Sequence, residues 1–426
     1  TDAARSKEEH TKAILSSLAW LGLNWDGEPV FQSERADLHR QRVLGLVAEG
    51  RAYWCHCRPE DIEEKRQAAL KAGGKPRYDG HCRDLGLGPA PGAVVRFKSP
   101  PAKAVAWLDL IKGPIEVNSG ELDDLVLLKS DGNPTYNLAV VVDDLTMGVT
   151  HVIRGDDHVN NTPRQILLYE ALGAQTPQFG HVPMILGQDK ARLSKRHGAT
   201  SVEAYREMGY LPKALVNYLA RLGWSHGDQE IFSLPEMVEL FSLKKVGKSA
   251  AVFNLEKLNW LNAHYIKETS LNELGALILP YLKAKGLADP EPAPELLAKI
   301  AATVRERGKT LAELAEKAEF YFLDPPPLDP LEAKKVLNQA GVEILSHIQA
   351  AFSADFPATR ESFDRLVQVL AAEKNLKMGA VAKPLRLALT GKTASPGLWE
   401  ILEILGQAKT LARVEAAMSS TGGPET

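Results

Sequence analysis

The stretch Gln188-Asp-Lys-Ala-Arg-Leu-Ser-Lys-Arg-His-Gly198 gathers four cations, Lys190, Arg192, Lys195 and Arg196, into one polar loop. Lysine and arginine concentrated at one point can clamp triphosphate oxygens and offset the charge that develops as pyrophosphate leaves. A merely solvated basic loop has the same composition, and on charge alone that plainer reading leads. The chain carries no Walker A sequence, which disfavours a P-loop ATPase.

A second constellation lies upstream. The turn Asp131-Gly-Asn-Pro-Thr135 delivers Tyr136, and Arg154 ends the apolar run His151-Val-Ile153. A guanidinium at a strand end suits the bidentate grip of a carboxylate, and Tyr136 can add a hydroxyl. Asp143, Asp144, Asp156 and Asp157 with His158 could ligate a metal, but partnership with nearby arginines is the stronger reading.

A third cluster is Cys55-His-Cys57 with His81-Cys-Arg-Asp84, and it holds all three cysteines. An odd count is a poor disulfide framework. Three thiolates and one further donor would close a tetrahedral, structural zinc site. The C-x-C and C-x-D pairs are tighter than the usual C-x2-C, so three reduced core cysteines are an equal alternative. Asp84 is the preferred fourth ligand because C-x-D mirrors C-x-C, with His81 and His56 as rivals.

The elements that must position these groups follow from periodicity. Ser6 and Glu9 form a capping-box pair ahead of the helical stripe Ile14, Leu15, Leu18, Leu21, which Gly22 can stop. A second helix is expected from about Asp37 to Gly50, facing inward through Leu38, Val43, Leu44 and Val47. Strands are expected at Ala52 to Cys57, Val94 to Phe97, Val105 to Leu110 and Leu125 to Lys129, with a charged helix and a Gly/Pro-rich stretch after the first. Tyr136 to Val142 fits either strand or helix. His151 to Arg154 reads as a strand, Thr162 as a cap before Pro163 in a helix ending near Gly173, and His181 to Leu186 as another strand. This alternation suggests a parallel α/β sheet, whose strand ends are where ligands bind. After Thr200 the pattern is helical. Thr200 with Glu203 and Ser233 with Glu236 read as capping boxes. Pro212 opens a helix carrying Leu215, Val216, Leu219 and Leu222, and a Pro-rich break falls at Asp324 to Pro330.

Bulk properties agree. A chain of 426 residues implies two to four domains. Its 44% hydrophobic and 25% charged content is that of a globular protein. A net charge of -3 disfavours a small DNA-binding domain but not an RNA-binding enzyme with charge gathered on one face. No apolar run approaches the roughly 20 residues of a membrane span, and no signal peptide is visible, so a cytoplasmic location is expected.

Taken together these segments resemble the bacterial class I aminoacyl-tRNA synthetases of the glutamate type. Arg192-Leu-Ser-Lys-Arg196 resembles the family's KMSKS loop, with Arg in place of Lys at its first position. Pro134 to Asp144, His151 to His158, Gly209 to Leu219, Leu222 to Asp228, Phe253 to Asn262 and Pro384 to Gly391 continue the match, which runs from Thr1 to about Ala416. The resemblance implies an α/β fold: a Rossmann-like catalytic domain (1–50 and 131–200), interrupted by an α+β zinc-type module (51–130). An all-α stem-contact domain (201–267), an all-α anticodon-binding domain (268–418) and a disordered tail (419–426) would follow.

It also implies roles. Arg192, Leu193, Ser194, Lys195 and Arg196 would bind ATP, with Lys195 stabilising the transition state of adenylate formation. Tyr136 and Arg154 would bind L-glutamate, Arg386 and Thr390 the anticodon, and Cys55, Cys57, Cys82 and Asp84 a structural Zn²⁺ found in some relatives. ATP with Mg²⁺ would activate glutamate, and tRNA(Glu) would receive it. Neither DNA nor a membrane is an expected partner, and a monomer is expected. The HIGH tetrapeptide of the family is missing, and Thr1 to Ser6 resembles the end of the segment that follows it. The expectation is therefore a catalytic domain incomplete at its N-terminus and a chain that by itself charges tRNA poorly. A glutaminyl-type enzyme is less favoured, because such relatives usually carry a β-barrel anticodon domain. A shortened relative that glutamylates a modified tRNA base is less favoured too, because it lacks the helical C-terminal region. A non-catalytic, synthetase-derived tRNA-binding protein is the alternative from another class.

Overall fold

In a computed structural model of the chain, residues 8–74, 76–194, 196 and 201–420 are described. Ser6, Lys195 and Thr200, named above as cap, catalytic and cap residues, lie outside them. The first helix, α1 (Glu8–Leu21), runs to Gly22, whose φ of +74° suits glycine at a helix end. The second, α2 (Ala36–Ala48), buries His39, Val43 and Leu46. Leu44, expected inside, is half-exposed, because the buried stripe runs i, i+4, i+7 from His39 instead.

Strand β1 (Ala52–Cys55) leads into the charged helix α3 (Pro59–Lys71). Strands β2 (Val94–Phe97), β3 (Ala104–Asp109), β4 (Gly113–Asn118) and β5 (Val126–Leu128) follow. β1, β2 and β5 form one antiparallel sheet in the order β1-β2-β5, while β3 and β4 form a hairpin. β4 was not expected from sequence. Its Gly-Pro-Ile-Glu-Val-Asn run shows polar alternation and no buried position, so the hydrophobic signal is weak.

The ambiguous segment after Thr135 is helical: α4 (Tyr136–Met147) buries Leu138, Ala139, Val141 and Val142 and ends at left-handed Gly148. Fully burying each of its larger aliphatic side chains contributes about 2 kcal/mol. Strand β6 (His151–Gly155), helix α5 (Thr162–Ala171) and strand β7 (Gln178–Val182) form a β-α-β unit, with β6 and β7 parallel. Thr162 is already helical; the N-cap is Asn161. The expected strand His181 to Leu186 is split at Pro183, which has no amide hydrogen to give a ladder, and resumes as β8 (Ile185–Leu186).

Helix α6 (Val202–Glu207) is capped by Ser201, whose side chain accepts from the Ala204 amide. Ser201 is thus the cap of this helix. In α7 (Pro212–Gly223), Leu215 and Tyr218 are buried whereas Leu219 is exposed, so the inward stripe is rotated from the expected one. The Ser233/Glu236 capping box before α8 (Leu234–Leu240) is present with both reciprocal bonds. Strand β9 (Ala251–Val252) pairs parallel with β8.

The rest is helical: α9 (Leu255–Glu268), α10 (Leu271–Ala284), α11 (Pro294–Val304), α12 (Leu311–Ala318), α13 (Pro330–Val336), α14 (Gln339–Ala354), α15 (Arg360–Glu373), α16 (Met378–Thr390) and α17 (Leu398–Ser419). The Pro-rich break ends where Asp329 caps α13, accepting from the Leu331 and Glu332 amides. α17 runs to Ser419, the first residue of the expected tail; residues 421–426 are outside those described.

The described residues fall into two compact units. One lies within Thr1–Gly198 and Val216–Asn254, the other within Ala199–Leu215 and Leu255–Thr426. The first contains the α/β core, centred on Val43, Val95, Leu127, Leu138, Leu168 and Phe179. Among the described residues no helix is long and apolar enough to cross a membrane.

Candidate active site and cysteine cluster

The parallel register of β6 and β7 sets Arg154 beside His181. Arg154 Nε donates to His181 Nε2 at 3.1 Å, and Nη2 donates to Thr162 Oγ1 at 2.8 Å and to the His158 carbonyl at 3.4 Å. The ring of Phe179 lies under the guanidinium, 5.3 Å from its carbon. Tyr136, exposed at the start of α4, meets His158 Nδ1 with its hydroxyl at 3.3 Å and interacts with the Arg154 guanidinium. The structure therefore brings together Tyr136 and Arg154, 18 residues apart in sequence, through His158.

Behind Arg154 stands a buried pair. His181 Nδ1 lies 2.5 Å from Asp109 Oδ2, and both side chains are fully buried. Burial lowers the pKa of His181, outweighing the opposing pull of Asp109. Burial works against ionisation of Asp109, but the Lys112 amide, the His181 ring and the Ile111 amide together hold its carboxyl below the usual range.

The four other carboxylates have partners. Asp143 is held by Gln32, Arg35 and buried His39, Asp144 by the Tyr169 hydroxyl, and Asp156 by Lys112 at 2.8 Å. Asp157 pairs with Arg192 at 3.3 Å. Gly155 permits this turn: a Cβ there would stand 2.6 Å from Asp157 Oδ1.

The basic loop leaves β8 and returns onto it. Gly187 donates to the Ala191 carbonyl, Leu193 donates to the Ile185 carbonyl, and Lys190 at the tip has φ +60°. Arg196 pairs with Asp189 at 3.0 Å. Through Arg192–Asp157 the loop reaches the segment that bears Arg154, so Arg192, Leu193, Ser194 and Arg196 and the Tyr136–Arg154 pair lie in one unit.

In the third cluster the Sγ atoms of Cys55, Cys57 and Cys82 all lie within 4.8 Å of one another. Among the described residues this is the group of three metal-type donors that converges. Asp84 does not join them; its exposed carboxylate pairs with Lys98 at 2.7 Å. His56 is bonded to the Gly88 carbonyl. The oxygen that does lie among the thiols is the Tyr78 hydroxyl, 3.4 Å from Cys55 and 3.7 Å from Cys57. Burial opposes ionisation of Cys55, but hydrogen bonds from Tyr78 and Arg96 carry its pKa below the ordinary value. Burial and the neighbouring thiols push Cys57 up to about 11. Three sulfurs and an oxygen at this spacing suit a tetrahedral zinc ion.

In the helical unit, Arg386 is half-buried, and its Nη1 donates to the Ser395 and Pro396 carbonyls. The Thr390 hydroxyl has the Arg386 carbonyl of α16 at 2.9 Å and the Lys392 carbonyl of the turn that follows at 3.0 Å as alternative acceptors, and it accepts from the Lys392 amide. Both residues thus hold the turn 391–396. Thr390 also lines a cavity of about 600 Å³ with Arg307, Lys317 and Lys392.

A family model described as class I tRNA synthetases (E and Q), catalytic domain, matches residues 1–260. The chain belongs to this family. A second model, an anticodon binding domain, matches residues 273–418. A glutamate–tRNA ligase of Syntrophus aciditrophicus is 54% identical over 98% of this chain and 88% of its own length. One from Syntrophobacter fumaroxidans is 53% identical over 98% and 89%. The crystal structure of a glutamate tRNA ligase from Elizabethkingia meningosepticum, in complex with its amino acid, superposes with a TM-score of 0.83 at 31% identity, over 98% of this chain and 91% of that one.

The sequence singles out Tyr136 and Arg154 but not Asp109 and His181, which the fold places behind Arg154, nor Tyr78, which it places among the thiols. Asp109 and His181 are 72 residues apart, and nothing local links them. Tyr78 had a signal: it is the hydroxyl-bearing side chain four residues before Cys82 in the same Gly-rich loop.

Proposed function

We propose that the chain is a glutamate–tRNA ligase, activating L-glutamate with ATP and transferring it to the 3′ end of tRNA(Glu). The observation that carries this is one α/β unit holding Tyr136, Arg154 and the Arg192–Asp157 link, in a chain more than 50% identical to glutamate–tRNA ligases over 98% of its length.

In this reading Arg154 and Tyr136 hold glutamate. The loop with Arg192, Leu193, Ser194, Lys195 and Arg196 lies on ATP, which enters as its magnesium complex. A carboxylate oxygen of glutamate attacks the α-phosphorus and pyrophosphate leaves; the loop cations, Lys195 foremost, offset the charge on the departing oxygens. The terminal ribose hydroxyl of tRNA then attacks the acyl carbon and AMP departs. Positioning carries both steps, since neither requires a side chain to form a covalent intermediate. Residues 51–130 receive the acceptor end, 201–267 the stem and 268–418 the anticodon, where Arg386 and Thr390 support the recognition turn. The enzyme works as a cytoplasmic monomer.

Cys55, Cys57 and Cys82 would hold zinc, with Tyr78 replacing Asp84 as fourth donor because the Asp84 carboxylate is engaged by Lys98. Zinc there would tie the 55–57 turn to the 78–82 loop.

The test is transfer of labelled glutamate, and separately glutamine, to total bacterial tRNA by the product of the full reading frame. ATP-dependent charging with glutamate is expected. Binding of tRNA without ATP consumption would replace this reading with that of a synthetase-derived tRNA-binding protein. Metal analysis of the same preparation should give about one zinc per chain, lost in Cys57→Ser.

A further inference from the structure

The proposed chemistry uses Arg154 and Tyr136 but leaves unexplained a fully buried histidine–carboxylate pair directly behind them. His181 and Asp109 are both fully buried in side chain, and they come from different elements, the parallel strand β7 and the end of the hairpin strand β3. Such a pair is costly to bury unless every polar atom is answered.

Here every atom is answered, and the chain of answers ends on Arg154. Asp109 Oδ1 accepts the Ile111, Lys112 and His181 amides, and Oδ2 faces His181 Nδ1. A carboxylate can only accept, so the proton of the neutral ring sits on Nδ1 and Nε2 is left as an acceptor. Arg154 Nε–H points at that Nε2. Thr162 Oγ1 accepts from Arg154 Nη2, and its own hydrogen has His181 Nε2 at 3.2 Å. A three-member ring results, Arg154 to Thr162, Thr162 to His181 and Arg154 to His181, in which the two donors share the single lone pair of Nε2. It closes only if Nε2 carries no hydrogen.

We infer that Asp109 and His181 are positioning residues for the substrate-binding Arg154: Asp109 fixes the ring tautomer, and His181 then fixes the plane in which the guanidinium presents its donors to glutamate. This rests on the reading of Arg154 as the glutamate-binding arginine. The arrangement makes Asp109, in the segment inserted between the two parts of the α/β core, part of the amino-acid site without touching the amino acid. A guanidinium free to rotate about Nε would still be charged, but would lose the fixed fork geometry on which bidentate recognition depends.

The test is glutamate-dependent pyrophosphate exchange by the product of the full reading frame, with KM measured separately for glutamate and for ATP. His181→Ala should raise the glutamate KM about 10- to 100-fold while the ATP KM stays within about threefold. His181→Gln, which can offer an amide oxygen to Arg154 and an N–H to Asp109, should recover most of the loss. Asp109→Asn can turn its amide N–H toward His181 and favour the wrong tautomer, so it should raise the glutamate KM with a small change in melting temperature. Equal rises in both KM values, a glutamate KM unchanged in His181→Ala, or no recovery in a well-folded His181→Gln would overturn the inference. A wild-type enzyme without glutamate-dependent exchange would instead overturn the function itself, so the two failures are told apart by the wild-type control.

Discussion

Arg154 in the α/β unit and Arg413 in the helical unit are both withdrawn from solvent, and they differ in how the protein uses the guanidinium. Arg413 is 2% exposed and spends all three nitrogens: Nε on Asp324 at 2.8 Å, Nη1 on the Leu389 carbonyl at 2.6 Å and Nη2 on the Leu323 carbonyl at 2.8 Å. It stitches α17 to the end of α16 and to the segment before the Pro-rich break. Arg154 is only partly buried, and its hydrogen bonds to His181, Thr162 and the His158 carbonyl leave from Nε and Nη2. It also feels the exposed Tyr136 hydroxyl. Burial lowers the pKa of both, yet an arginine keeps its charge in either place. The lesson is that a buried guanidinium points to function when the fold holds it by one edge, and to architecture when the fold consumes every edge.

Conservative replacement separates the two uses. Arg154→Lys keeps the charge but not the fork, and it cannot satisfy His181 and Thr162 together. The expected result is a 100- to 1,000-fold fall in kcat/KM for glutamate, about 3 to 4 kcal/mol, read in pyrophosphate exchange. A fall of less than about threefold would mean that Arg154 is, like Arg413, only structural. Arg413→Met should do the reverse. It strands two carbonyls and removes a partner from Asp324, costing about 3 kcal/mol in urea unfolding, while the glutamate KM of the folded fraction stays unchanged.

Thr162→Val tests a smaller part of the same contrast. The valine keeps the shape but removes the oxygen that receives Arg154 Nη2. One lost hydrogen bond to a charged donor is worth about 1.5 to 3 kcal/mol, so the glutamate KM should rise at least about tenfold, with little change in the ATP KM. Loss of thermal stability without that rise would assign Thr162 to helix packing alone.

Local pattern made some of this visible and non-local pairing hid the rest. The Ser233–Glu236 capping box, Pro212 at a helix start and the strand bearing Arg154 were legible because their causes lie within a few residues. Thr162 was read as a cap because Thr-Pro has that signature, yet its hydroxyl is drawn to Arg154 and His181, and Asn161 takes the cap position. Likewise C-x-D suggested Asp84, but Lys98, 14 residues on, claims that carboxylate and leaves the Tyr78 hydroxyl among the thiols. Nothing in the local run Leu411-Ala-Arg-Val-Glu415 marks Arg413 as different from other helical cations. Only the fold shows that Asp324, 89 residues earlier, is its partner.

Asp324 gives the smallest effect and the finest test of the architectural arginine. Burial raises its pKa, but hydrogen bonds and charge from Lys409 and Arg413 prevail and lower it. A carboxyl with a folded-state pKa below its unfolded value of about 3.9 stabilises the fold above that pH, and the contribution fades as pH falls through the lower, folded value. Its side chain is 43% exposed, so solvent screens the pair and the contribution at neutral pH should be under about 1 kcal/mol. Asp324→Asn should therefore lower the urea midpoint slightly at pH 7 and make stability less pH-dependent below about pH 4. If the variant instead lost as much as Arg413→Met, the carboxylate rather than the two carbonyls would be what Arg413 is buried to reach. The contrast with Arg154, which the fold holds through Nε and Nη2, would then have to be drawn from charge pairing and not from how many edges the fold consumes.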